Sequence, residues 1–356
     1  MKTVTITLHD TDNCGSSLQA YALQRFLLDH GVENEIIDYV PAYTQNNGHP
    51  LKTFIRKVIF FRDSVQRTKK FRRFMEKNLR VTRQRYTTLR QLRADPPQAD
   101  CYITGSDQLW NSMYACGRDP AFYLDFIDGK KLAYAISLGR EKIPENNLNN
   151  VREYAKGFSW VSVREFSSVE QIRPAVDCPV AHVCDPVLLN PAEMYDEILA
   201  PRQILEPYVL VYLAQGVDVQ ILEKCIQMAR ERFGSQIKIV SIGTYRKKCD
   251  CDYHMKDVSP GEFLSLIFHA EYIVSNSFHA TVFSLIYQKQ FATIVPGENG
   301  ARIRDILVKL EIGEHAAAVP EKLPPVITKE KYEMIENKLD NFRKESEMEL
   351  LDQLLR

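Results

Sequence analysis

Short apolar runs of β character alternate with stretches of helical period along most of the 356 residues. That alternation is the mark of parallel strands covered by helices. Residues 3–8 (TVTITL) read as a first strand, 17–30 as an amphipathic helix stopped by Gly31, and 34–40 as the next strand, a βαβ opening. Further strands are expected at 100–104, 132–137, 160–163 and near 180–184. After a Pro-containing stretch from Asp185 to Pro207 the rhythm restarts. It gives strand 208–213, helix 218–233, strand 237–242, a helix from Pro260, strand 272–275, a helix from about Phe278 and strand 291–294. The chain is longer than one hydrophobic core can serve. Two α/β domains are therefore expected, 1–199 and 200–325. The tail 326–356 carries Tyr332, Ile335, Leu339 and Phe342 at helical spacing and is expected to pack back across both lobes as one or two helices.

Composition narrows the class. Hydrophobic residues make up 45% and charged residues 26%, which excludes disordered and fibrous chains. No run approaches the roughly 20 apolar residues of a membrane span. The N-terminus lacks the apolar core of a signal peptide, so a cytoplasmic location is expected. The eight cysteines form no disulfide framework in so long a chain. Cys101, Cys184 and Cys225 lie in apolar runs and read as small core residues. Cys249, Cys251 and His254 come nearer to ligand spacing, but no second Cys pair completes a four-ligand zinc site, and no metal is expected.

Net charge is zero, yet its distribution is uneven. Fifteen Lys and Arg against two acids, Asp63 and Glu76, fall between Lys52 and Arg93. Residues 52–93 read as basic helices inserted into the alternation: either a solvated helix pair or a surface seeking phosphate. The phenylalanines Phe54, Phe60, Phe61, Phe71 and Phe74 fall at spacings suited to helix packing, and no nucleic-acid motif accompanies them. Nucleic acid is not expected as a partner. Peripheral contact with an anionic membrane face is.

In open parallel sheets ligands bind beyond the carboxyl ends of the strands. Five turns lie there. After the first strand, Asn13 and Gly15 open a helix and either cap it or leave amides for an anion. After 100–104 comes GSDQLW, where Ser106, Asp107 and Gln108 beside Trp110 suit a sugar, unless Trp110 is core filler. Arg164, in SVRE, could fork onto a carboxylate or phosphate, or pair with Glu165 at the surface. The sharpest element is Ser275-Asn276-Ser277-Phe278-His279, a strand-to-helix turn with a histidine in the first helical turn. Such a start offers amide donors and partial positive charge, and the histidine can exchange a proton near neutral pH. Arg302 and Arg304 follow strand 291–294, to reach a phosphate or cap the next helix.

Seven segments in order, NCGSSLQAYAL, GSDQLW, AYAISLG, SVRE, DPVLL at 185–189, AEYIVSNSFHATVFSL and ARIRDIL, resemble the polysaccharide pyruvyl transferase family across roughly residues 10–310. The resemblance implies a GT-B-like fold of two Rossmann-like domains facing across a cleft. It implies transfer of a pyruvyl group from phosphoenolpyruvate, a co-substrate with no further cofactor, to a saccharide or lipid-linked saccharide, forming a ketal in capsule, exopolysaccharide or cell-wall synthesis. His279 matches the motif histidine and would be the acid. Arg164, Asn276, Ser277 and Arg302 would bind the donor. Asn13, Gly15, Ser106, Asp107, Gln108 and Trp110 would bind the acceptor. Many members carry Arg two residues before that histidine, where this chain has Ser277. The missing charge-assisted contact is on the order of 1.5–3 kcal/mol, which Arg302, Arg304 or Lys289 could supply. Two other readings fit the same frame: a nucleotide-sugar glycosyltransferase, and a non-enzymatic protein binding phosphate or an anionic membrane.

Overall fold

The computed structural model describes residues 1–45, 61–214, 216, 219–243, 249–295, 297–317 and 323–356. The chain forms two units. One comprises Met1–Phe54, Arg72–Asn190 and Asp340–Arg356, the other Ile55–Phe71 and Pro191–Leu339. The break at 190/191 precedes the expected one by nine residues.

The strands of the first unit are β1 (Lys2–Ile6), β2 (Glu33–Tyr39), β3 (Val81–Tyr86), β4 (Cys101–Thr104), β5 (Lys130–Ile136), β6 (Phe158–Val163) and β7 (Val180–His182). They pair in parallel in the order β3-β2-β1-β4-β5-β6-β7. Helices α1 (Cys14–Asp29), α2 (Phe61–Asn78, shared with the second unit), α3 (Glu145–Tyr154) and α4 (Phe166–Ile172) connect them. In the second unit β8 (Tyr208–Tyr212), β9 (Lys238–Ile242), β10 (Tyr253–Met255), β11 (Tyr272–Ser275), β12 (Phe291–Ile294) and β13 (Ala316–Ala317) pair in the order β10-β9-β8-β11-β12-β13. Its helices are α5 (Val219–Phe233), α6 (Pro260–Phe268), α7 (Phe278–Ile286), α8 (Ala301–Lys309) and the first part of α9 (Lys329–Leu355), whose residues from Asp340 belong to the first unit. Central strands are buried on both faces, as parallel sheets covered by helices require. Strand order reverses between β1 and β4 in one unit and between β8 and β11 in the other. These reversals open the crevices where ligands bind in such sheets. The turns after β1 and β4, and after β8 and β11, therefore sit where a site is expected.

The basic segment differs from its reading as helices alone. Lys52–Phe60 lie outside the described residues. Within the rest, β3 adds an edge strand, with Arg83, Gln84 and Arg85 exposed. Its polar outer face masks the strand signal and guards the edge against pairing with another chain. The buried Gln24 of α1 fixes its start: the carboxamide donates to the Arg80 carbonyl (2.8 Å) and accepts the Arg80 amide (2.7 Å). Part of the surplus charge is paired within the second unit. Lys70 lies 2.9 Å from Glu262 and 3.3 Å from Asp257, and Arg67 donates to the Lys256 carbonyl.

The tail is one helix, α9. Its Tyr332 and Ile335 are buried in the second unit, and Phe342, Leu350 and Leu354 in the first. In the first unit Ser346 accepts the Cys184 amide (2.9 Å), and Arg343 donates to the Leu188 carbonyl (2.7 Å). No helix among the described residues is long and apolar enough to cross a membrane. No group of three or more His, Cys, Asp or Glu among them is arranged to hold a metal ion.

Replacing Gln24 by Ala would take the acceptor from the Arg80 amide and a donor from the Arg80 and Asn34 carbonyls, the Arg80 carbonyl keeping the Ile36 amide. The expected loss is about 2 kcal/mol of folding stability, read as a lower urea midpoint. An unchanged midpoint would mean that water satisfies those groups.

Candidate functional site

At the second unit's reversal point hydroxyl groups shape the turn. Ser275 donates from Oγ to the Tyr212 carbonyl at the end of β8 (2.6 Å) and accepts the Ser277 amide (3.0 Å). Ser277 is the N-cap of α7: its backbone is extended and its Oγ accepts the Ala280 amide. Thr281 bonds both the Ser277 carbonyl (3.0 Å) and the Thr293 hydroxyl of β12 (2.9 Å), which clamps the first turn of α7 to the sheet. His279 stands in that turn, 8% exposed. Two of the amides expected to meet an anion are thus already accepted by Ser275 and Ser277.

The Arg302 guanidinium lies 5.7 Å from the centre of the Phe278 ring. Among the bases that could replace the absent arginine, Arg302 is the one seen against this turn. Arg304 bends back onto the Gly297 carbonyl (2.9 Å). Lys289 precedes β12 and so lies at the opposite, amino edge of the sheet, where burial pushes its ammonium pKa down. The structure brings Ser275, Asn276, Ser277, His279 and Arg302 to one edge.

The first unit's reversal point is a buried polar network. Asp107 follows β4 with φ +92°, a strained value for a residue with a Cβ. Its carboxylate accepts from Ser16 Oγ of α1 (2.5 Å) and from the Gln108 amide (2.8 Å). Ser106 donates to the Ala135 carbonyl (2.8 Å) and lies 3.3 Å from Asp185. Gln108 accepts from Asn111 (2.8 Å) and packs on Gly139, where a Cβ would come within 2.1 Å of its oxygen. Asn13 accepts the Gly15 and Ser16 amides (2.9 and 3.3 Å), so its cap occupies donors that an anion would need. Asn13, Gly15, Ser106, Asp107 and Gln108 are therefore gathered at one edge.

Two expectations are corrected. Trp110 is fully buried rather than offered to a sugar. Its indole donates to the Phe122 carbonyl (3.0 Å), stacks on Tyr123 (4.8 Å, 13°) and takes Phe158 edge-on. Burying so large an apolar ring outweighs any gain from leaving it exposed. Arg164 is neither turned to solvent nor presented as an open clamp. Its side chain is 1% exposed, 2.5 Å from Asp185 and 3.6 Å from Asp107. Burial opposes its charge, but Asp185, Asp107 and Glu165 outweigh burial and raise its pKa. Glu165 is buried as well and accepts from Ser137 Oγ and the Gly139 amide.

The sequence analysis quoted DPVLL at 185–189 but gave Asp185 no role; the residue caps the turn Pro186–Leu189 through the Val187 amide (3.0 Å), and an Asp-Pro pair soon after a strand was the available signal. It also passed over a chain of charges at the ends of β1, β2 and β3. His9 contacts the Thr7 carbonyl and Asp38 (3.2 Å each), Asp38 accepts from Arg85 (2.8 Å), and Arg85 reaches Asp10 (3.0 Å). That chain is visible only once β3 is recognised as a strand. Burial would raise the Asp38 pKa, but bonds from His9 and Arg85 hold it below the ordinary 3.8.

A family model described as polysaccharide pyruvyl transferase matches residues 13–298. No curated protein matches the chain. Among solved structures the chain is similar to UDP-GlcNAc 2-epimerase from Neisseria meningitidis, with 12% identity, TM-score 0.58, and 99% of this chain and 100% of that one covered. It is also similar to the glycotransferase of kitacinnamycin (10%, TM-score 0.52, 100% and 98% covered) and to Phytolacca americana UGT2 (10%, TM-score 0.50, 99% and 98% covered). At these identities the likeness shows the fold: two parallel α/β units of GT-B type.

Asp38 contributes stability above its unfolded pKa, and that contribution is lost as pH falls through its lower folded value. The stability gap between wild type and Asp38→Asn is therefore expected to hold near neutral pH and to shrink below about pH 4. Urea unfolding at stepped pH checks it; a gap independent of pH would contradict it.

Proposed function

This chain belongs to the polysaccharide pyruvyl transferase family, and from that premise we propose that it transfers the pyruvyl group of phosphoenolpyruvate to hydroxyls of a saccharide, free or lipid-linked, as a ketal. The observation that carries the reading is His279 in the first turn of α7, at a strand-order reversal, with Arg302 against the preceding Phe278.

The chemistry needs an acid and a home for two negative groups. His279 gives a proton to the methylene carbon of the donor, and positive charge develops on the carbon bearing carboxylate and phosphate. An acceptor hydroxyl attacks that carbon and loses its proton. A second hydroxyl then displaces phosphate and closes the ketal; one hydroxyl proton restores His279 and the other leaves with phosphate. The start of α7 favours negative charge. Asn276 and Ser277 line that start, and Arg302 takes the clamp that Ser277 cannot provide. Asn13, Gly15, Ser106, Asp107 and Gln108 orient the acceptor, and Arg164 acts by holding Asp107. No cofactor beyond the co-substrate is needed. Charge left over on residues 52–93 suits peripheral contact with an anionic membrane face, where lipid-linked acceptors reside.

Phosphate release from phosphoenolpyruvate, followed over a panel of saccharides, tests the reaction. His279→Ala is expected to lower turnover at least about a hundredfold with an unchanged melting temperature. Full activity in that variant would overturn the assignment. Arg302→Ala is expected to raise KM for phosphoenolpyruvate by roughly tenfold or more, the value of one charge-assisted contact. An unchanged KM would remove Arg302 from the donor site.

A further inference from the structure

The basic segment carries more charge than the fold uses. Lys70 and Arg67 are engaged by the second unit, and Arg85 and Arg93 are paired with Asp38 and Asp125. Arg72, Arg73, Lys77 and Arg80 of the first unit are not so used. All four are exposed, and none takes part in an ion pair or a side-chain hydrogen bond among the described residues. Three of them share one side of α2. That helix buries Phe71, Phe74 and Met75, with Phe74 edge-on to Tyr21 of α1 at 6.2 Å and 66°. At about 100° per residue, Arg72, Arg73 and Lys77 fall away from the buried stripe. Between 72 and 80 the sequence sets one acid, Glu76, against these four cations.

A face that merely meets water mixes its signs, as α9 does: Lys344, Glu345, Glu349 and Asp352 are exposed, and Arg356 pairs with Asp352. Lys77 and Arg80 gain from the carbonyl end of α2, which favours positive charge. Arg72 and Arg73 lie before the last turn and have no such reason. The whole chain has 46 acids for 46 bases, yet almost no counter-charge is placed here.

We infer that this face of α2 docks on an anionic phospholipid bilayer, with Arg72 and Arg73 at its centre. The choice of a bilayer rests on the lipid-linked acceptor reading above; charge alone asks only for phosphate. Nucleic acid fits less well, because Phe71, Phe74 and Tyr86 are buried and leave no ring between 71 and 86 for a base to stack on. With those rings turned inward, the contact is made by charge and not by insertion, so salt should release it.

The full chain is floated with vesicles of phosphatidylcholine alone, or of phosphatidylcholine and phosphatidylglycerol in equal parts. Recovery is expected with the anionic vesicles only, and salt at about 0.5 M should abolish it. Arg72→Gln/Arg73→Gln should weaken anionic-vesicle binding about tenfold or more, with unchanged melting temperature, and Arg72→Lys/Arg73→Lys should retain it. Equal recovery with neutral and anionic vesicles overturns the proposal, as does binding that the glutamine pair leaves unchanged or that salt does not release. Release by inorganic phosphate, but not by chloride at equal ionic strength, would assign the cations to single phosphate groups and overturn it too. Tighter binding of a DNA duplex than of anionic vesicles would do the same. Phosphate release from phosphoenolpyruvate with soluble saccharides is read in the same variants without vesicles. Vesicle binding without turnover on any saccharide leaves the docking face standing and defeats the pyruvyl reaction. Turnover by a protein that floats with neither vesicle does the reverse.

Discussion

One buried guanidinium organises the carboxyl edge of the first unit's sheet. Arg164 leaves water almost completely and is repaid by Asp185 and Asp107, which descend from different strands of the sheet. Removing one member of such a buried group strands the others and typically costs about 3–5 kcal/mol. The surrounding geometry follows from this pairing. Asp107 sits in a left-handed backbone conformation, Ser106 bonds toward β5 and Asp185, and Ser16 brings the start of α1 onto Asp107. Polar side chains that would be mobile on an open loop are fixed here by burial and charge.

The second unit reaches a fixed turn with hydroxyl groups. Ser275, Ser277, Thr281 and Thr293 tie β8, β11, β12 and α7 together. This gives Ser277 a structural reason. An arginine there would add charge to the turn but forgo the cap on Ala280, a contact of about 1 kcal/mol. The chain keeps the cap and has a guanidinium on α8, beside Phe278.

Strands 272–275 and 291–294 were legible to the residue, because each is a short apolar run bounded by polar turn residues. β3 was not, since VTRQRY turns its charges outward at an edge, and β10 and β13 are too short to show a period. The place of His279 followed from strand, turn and helix alone. Trp110 and Arg164 were misread for one reason: sequence gives neighbours along the chain but not the direction of a side chain. The strained backbone at Asp107 precedes the buried Trp110, and the partner of Arg164 lies 21 residues away in Asp185. The contact of Arg302 with Phe278 joins two helices and likewise has no local signal.

The edge holding His279 and Arg302 is proposed to receive phosphoenolpyruvate. Calorimetric titration of the full chain with phosphoenolpyruvate and, separately, with UDP tests it most directly. Saturable heat is expected with phosphoenolpyruvate and none with UDP. Saturable binding of UDP with no response to phosphoenolpyruvate would contradict it.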